Sequence, residues 1–158
     1  RMLCLGGKDT PEETELRNMI GGLGIEENIF MKPPIPHEEV AGELSKATIG
    51  VISLSGEKPL ASAIGTKTYE YLAAGLPVAC LSRLTKSELR DLIVNNEIGF
   101  YSRNSEDFAE KLVDLLSAKN EISRLRENAR ALSSKYQWKS IVFEAYERHL
   151  KDLGGSQN

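Results

Sequence analysis

Five short apolar runs, each followed by a turn signal and a stretch of helical periodicity, constrain this chain more than any other feature. They cover residues 2–5, 28–31, 48–54, 77–81 and 99–101. Each is too short for a helix, and the runs are apolar rather than strictly alternating, as in strands buried on both faces. Strands that alternate with helices pair in parallel, and the helices cover the sheet. The expected fold is therefore α/β, a Rossmann-like parallel sheet with helices on both faces. Ligands of such sheets bind beyond the carboxyl ends of the strands.

The intervening segments carry their own start and stop signals. Pro11, with Glu12 and Glu13 behind it, opens a helix that Gly24 ends, with Leu16, Met19, Ile20 and Leu23 on one face. Pro33-Pro34-Ile35-Pro36 is a rigid loop, and His37-Glu38-Glu39 starts a helix carrying Val40 and Leu44. A loop is expected over residues 55–64, and helices over 66–74, 86–95, 120–135 and 137–153. Ser105 is the expected cap of a further helix, with Phe108, Leu112, Leu115 and Leu116 on one face.

The chain has 158 residues, the size of one domain, and a net charge of −3 that gives no reason to expect nucleic-acid binding. Cys4 and Cys80 lie within apolar runs and lack metal-ligand spacing, so reduced, buried thiols are expected. His37 and His149 read as surface residues, and no metal site is expected. No apolar run approaches the ~20 residues needed to span a membrane. The chain starts within a strand pattern, and residues 154–158 read as a flexible tail after a domain of residues 1–153. It is read as a fragment of a larger protein.

The chemistry concentrates in Gly65-Thr66-Lys67-Thr68-Tyr69-Glu70-Tyr71-Leu72-Ala73-Ala74-Gly75-Leu76-Pro77-Val78. A helix opening there offers backbone N–H groups, a lysine and two threonine hydroxyls, which together suit a phosphate. Gly65 lets a ligand approach the backbone closely. Lys67 is a mobile point charge; the plain alternative is a solvated surface lysine. Glu70 is either a bidentate acceptor for a ligand or a partner of the helix dipole. Gly6, Gly7 and Lys8 close the first strand as a second wall of the site or as a simple turn. Lys32, Pro33 and Ile35 close the second.

The end of this stretch resembles the donor-nucleotide motif of GT-B-fold retaining glycosyltransferases of family 4, written Glu-x-(Leu/Met)-Ala-x-Gly-x-Pro-Val. The likeness extends over nearly the whole chain. Leu23-Gly24-Ile25 before Asn28-Ile29-Phe30, Pro36-His37-Glu38-Glu39-Val40, Ala47-Thr48-Ile49-Gly50-Val51 and Tyr136-Gln137-Trp138 each resemble a family step, in order. The resemblance implies the C-terminal, donor-binding half of a GT-B enzyme. Glu70 would hold the ribose hydroxyls, Gly65, Thr66, Lys67 and Thr68 the pyrophosphate, and the loop at Lys32, Pro33 and Ile35 the nucleobase. It implies a UDP-, GDP- or ADP-sugar, no metal, and a saccharide or lipid-linked acceptor. The cytoplasm, or the cytoplasmic face of a membrane, is the expected location.

Three departures accompany it. Ser62 stands where the family carries a second glutamate, which leaves the sugar contacts near Ser62 open. The family's first β-α unit, with its pyrophosphate-binding Arg and Lys, is absent, as is the N-terminal acceptor domain. Binding without turnover is therefore expected. The apolar face of residues 141–153 is expected to be exposed or covered in a homo-oligomer. An NDP-sugar epimerase of the same fold and a non-catalytic α/β interaction module remain as alternatives.

Overall fold

The computed structural model describes residues 1–5, 10–54 and 64–137. They fall into two compact units, Arg1–Glu43 and Leu44–Asn158. The expected final helix over 137–153 lies, from residue 138 on, outside the described residues, as does the expected tail.

The first unit holds β1 (Met2–Leu5), α1 (Pro11–Leu23), β2 (Ile29–Lys32) and α2 (His37–Leu44). β1 and β2 run parallel, with Met2 opposite Ile29 and Leu5 opposite Lys32. Thr10 caps α1 by accepting from the Glu13 N–H at 3.2 Å, Pro11 occupies the first turn, and Gly24 closes the helix at φ 65°. Of the expected apolar stripe on α1 only Ile20 is buried; Leu16, Met19 and Leu23 are exposed. Two strands, about 5 Å apart, are narrower than the ~10 Å face of a helix and cannot cover the whole stripe.

The second unit holds β3 (Gly50–Leu54), α3 (Thr66–Ala73), β4 (Val78–Ser82), α4 (Glu88–Asn95), β5 (Gly99–Ser102), α5 (Ser105–Ser117) and α6 (Lys119–Ser133). A 3₁₀ turn, Ser134–Tyr136, follows. The strands form a parallel sheet in the order β3-β4-β5. β4 is the central strand, and Val78, Ala79 and Cys80 are fully buried. Val78, Cys80 and Ile52 share one face with Leu72 of α3, Leu89, Leu92 and Ile93 of α4, and Ala129 and Leu132 of α6. On the other face Phe100 packs with Leu115 of α5 and Ile122 and Leu125 of α6. α6 thus serves both sides, its first half below and its second half above the sheet. Helices cover both faces, as the alternating pattern requires.

α5 differs from the expected form in two details. Its cap is Asn104, whose Oδ1 accepts from the Asp107 N–H at 2.8 Å, and Ser105 is the first helical residue. Both residue types cap well, so side-chain preference alone does not fix which is used. Leu115 is buried while Leu116, turned 100° further round the helix, is exposed.

α3 and α4 end in the same way. Gly75 N–H donates to the Leu72 carbonyl and Leu76 N–H to the Tyr71 carbonyl, both at 2.9 Å. Glu97 N–H likewise reaches Val94 and Ile98 N–H reaches Ile93. These are Schellman closures, each with its pivot residue left-handed: Gly75 at φ 64° and Glu97 at φ 48°. Each closure turns the chain directly into the next strand.

Candidate donor-binding site

α3 runs back along β4, so its first turn comes to the carboxyl edge of the sheet. Eight residues of helix cover about 12 Å, comparable with the ~16 Å of a five-residue strand. Gly65 is the N-cap, extended at φ −72° and ψ 156°. That conformation is open to any residue, and among the described residues a Cβ at Gly65 would meet nothing within 4 Å. Neither torsion nor packing against the described residues therefore requires glycine there.

Thr66 and Lys67 are exposed beyond this cap, and Glu70 is half-buried one turn further on. Thr68 differs from its neighbours. It is only 1% exposed, on the face it shares with buried Leu72 one turn later. Its side chain belongs to the packing of α3, which corrects its placement among solvent-facing phosphate groups. The helix start thus presents Gly65, Thr66 and Lys67 outward, with Glu70 behind them.

The rest of the motif builds the scaffold. Leu72, Leu76, Pro77 and Val78 are fully buried. The Pro77 carbonyl accepts from the Gly50 N–H at 2.9 Å, joining the motif to β3. Tyr71 donates its hydroxyl to the Val51 carbonyl at 3.2 Å. A side chain at Gly50 would overlap the Tyr71 ring, so glycine is required there by close approach. Tyr69 packs on Tyr136 with ring centroids 5.1 Å apart. Burial, then the neighbouring Tyr136 and Glu88, push the Tyr69 phenol above its ordinary pKa. Residues 69 and 71 therefore fasten α3 on either side of Glu70. The sequence carries both tyrosines, but their partners lie 67 and 20 residues away and no local pattern announces them.

The remaining expected site residues divide in two. In the first unit Lys32 ends β2 with its ammonium 3.6 Å from a Glu43 carboxylate oxygen. Pro33 is exposed and Ile35 half-buried after it. Gly6, Gly7, Lys8 and Ser62 lie outside the described residues. Among the described residues no group of three or more His, Cys, Asp or Glu side chains is placed to hold a metal. No helix among them is long and apolar enough to cross a membrane.

The family described as "Glycosyl transferases group 1" matches residues 1–132, and the chain belongs to that family. It is 30% identical over 137 residues to the human GDP-Man:Man(3)GlcNAc(2)-PP-Dol alpha-1,2-mannosyltransferase, a match covering 84% of this chain and 26% of that protein. The protein of the same name from Dictyostelium discoideum is 23% identical over 158 residues, covering 97% of this chain and 30% of its own length. The chain thus spans between a quarter and a third of these relatives. Among solved structures, sucrose-phosphate synthase from Thermosynechococcus elongatus matches with a TM-score of 0.73 at 17% identity, over 98% of this chain and 39% of that one. The fold is that of a GT-B glycosyltransferase.

Proposed function

We propose that this chain is the donor-binding part of a mannosyltransferase that uses GDP-mannose and a lipid-diphosphate-linked oligosaccharide. The observation that carries this reading is the outward presentation of Gly65, Thr66 and Lys67 at the start of α3, with Glu70 half-buried behind. The GDP-mannose donor and dolichyl-diphosphate acceptor come from the shared name of the human, mouse and Dictyostelium relatives.

In this reading the helix start and Lys67 hold the donor diphosphate. Their positive potential stabilises the charge that develops as the sugar departs. Glu70 accepts two hydrogen bonds from the ribose hydroxyls, which fixes the nucleoside relative to the diphosphate. In this reading donor binding, rather than turnover, is the part of the reaction that the 158-residue chain performs. The whole enzyme works at the cytoplasmic face of a membrane, where a lipid-linked acceptor is presented.

Calorimetric titration with GDP, UDP and ADP, without added metal, tests the reading. Saturable binding of GDP, tighter than of UDP or ADP, is the expected result. Preference for another base would remove GDP-mannose as donor, and equal weak binding of all three would remove the nucleotide assignment.

A further inference from the structure

The carboxyl edge of the three-stranded sheet carries more positive charge than the motif accounts for. Every described chain segment that leaves this edge bears an exposed cation. Lys67 lies in the first turn of α3, Arg83 and Lys86 in the loop between β4 and α4, and Arg103 directly after β5. The ladder brings two of these to neighbouring strand ends, offset by one residue. Leu81 pairs with Ser102, so Arg103 follows beside Ser82 and Arg83 is one residue further on. Adjacent strands lie about 4.8 Å apart.

The loop that carries Arg83 is fastened at both sides. The Leu84 N–H reaches the Ser82 hydroxyl at 3.4 Å, and the Leu84 carbonyl accepts from the Tyr101 hydroxyl at 2.9 Å. The second bond ties the exit of β4, where Arg83 lies, to β5. Among the described residues neither arginine, nor Lys67, nor Lys86 has an ion-pair partner. The closest acidic residues of the flanking helices are partly spoken for: Asp91 pairs with Arg90 at 3.0 Å and Asp107 with Lys111 at 2.9 Å. Glu88 and Glu106 stand in the first turns of α4 and α5 and Glu70 one turn into α3, three carboxylates against four cations among the described residues.

We infer that Arg83 and Arg103 form a diphosphate-binding rim beside the start of α3. Two guanidinium forks on neighbouring strand ends match the several oxygens of a diphosphate better than those of a single carboxylate. This rests on the nucleotide-sugar reading above, because both proposed substrates carry a diphosphate. The donor contains one between nucleoside and sugar, and the acceptor contains one between lipid and oligosaccharide. The rim therefore either adds to the grip of Lys67 on the donor or receives the acceptor's lipid end.

The test uses the 158-residue chain, the double variant Arg83→Ala/Arg103→Ala, and the control Lys119→Ala/Lys135→Ala, which removes equal charge elsewhere. The probes are inorganic pyrophosphate, GDP, and phosphatidylcholine vesicles carrying dolichyl diphosphate. Removing two charge-assisted contacts at an exposed site is expected to weaken the affected binding by about tenfold, with the control unchanged. Loss on GDP assigns the rim to the donor; loss on the vesicles alone assigns it to the acceptor. A double variant that matches the control with all three probes overturns the rim while leaving the nucleotide reading intact. Wild-type binding of pyrophosphate as tight as of GDP, lost in the double variant, keeps the rim and overturns nucleoside recognition. Binding of none of the three overturns both. Arg83→Lys/Arg103→Lys, which keeps the charge, is expected to recover part of the loss, and equal thermal unfolding of all variants excludes a folding defect.

Discussion

The Tyr71 ring fills the space that any side chain at Gly50 would need, and its hydroxyl binds the carbonyl of the next residue in β3, Val51, at 3.2 Å. This contact fastens the helix of the donor motif to the first strand of its sheet, one residue from Glu70. Gly50→Ala must push the ring aside or shift β3. Overpacking of this kind costs about 1–3 kcal/mol. Urea unfolding should show that loss, and GDP affinity should fall with it because Glu70 moves with α3. Unchanged stability in Gly50→Ala would mean that the ring has room to give way.

Gly75 carries two separable demands. Its φ of 64° disfavours any Cβ, and a Cβ there would also meet Arg130 Nε at 2.5 Å and Cγ at 2.8 Å. Gly75→Ala is expected to cost about 1–3 kcal/mol in stability from backbone strain and overpacking together. In an Arg130→Ala background the same substitution should cost less, since only the torsional part remains. Equal costs in the two backgrounds, measured by denaturant unfolding, would show that Arg130 contributes nothing.

The ring contact between Tyr69 and Tyr136 links α3 to the turn that follows α6. A double-mutant cycle with Tyr69→Ala and Tyr136→Ala should give a coupling of about 0.5–1.5 kcal/mol, the range of aromatic pairs at this separation. Additive losses would contradict the contact.

Burial pushes the Cys80 thiol up to about 12, whereas Cys4 is only half-buried. At pH 8 an aromatic disulfide reagent should therefore modify Cys4 in the folded chain and Cys80 only on unfolding. The sign of the stability effect follows from the thiol being neutral when folded. An unfolded thiol ionises near pH 8.5, so the contribution is complete below that pH and is lost as the pH rises towards 12. Cys80→Ala should flatten that alkaline decline, at the cost of a small cavity. Rapid modification of both thiols in the native chain would contradict the burial of β4.

Much of this was legible because each β-α unit carries its own signals. Pro11 and Gly24 delimit α1, and Gly75-Leu76-Pro77 announces the end of α3 and the start of β4. Thr68 was misplaced with Thr66 and Lys67 on the phosphate: it stands one helical turn before Leu72, and that phase buries its side chain. Glu97 was not readable, because a left-handed turn at a glutamate has no local marker. It is held by Arg124, which pairs with its carboxylate, and by Asn128, which donates to its carbonyl at 2.8 Å. Both are on α6, about 30 residues away. The clasp of Tyr71 on Gly50 was hidden for the same reason. Long-range packing decides which of several plausible tyrosines supports the site and which faces solvent.

The central claim is that Glu70 recognises the nucleoside of a GDP-sugar. Glu70→Gln keeps the size of the side chain and removes its charge, so the fold is retained while a charge-assisted acceptor is lost. Calorimetric titration of GDP into the wild type and this variant, with guanosine-free pyrophosphate as reference, measures the effect directly. The account predicts GDP affinity lower by about ten- to a hundredfold in Glu70→Gln, with pyrophosphate binding and thermal unfolding unchanged. Equal GDP affinity in both proteins would contradict it and leave Glu70 as a partner of the helix dipole alone.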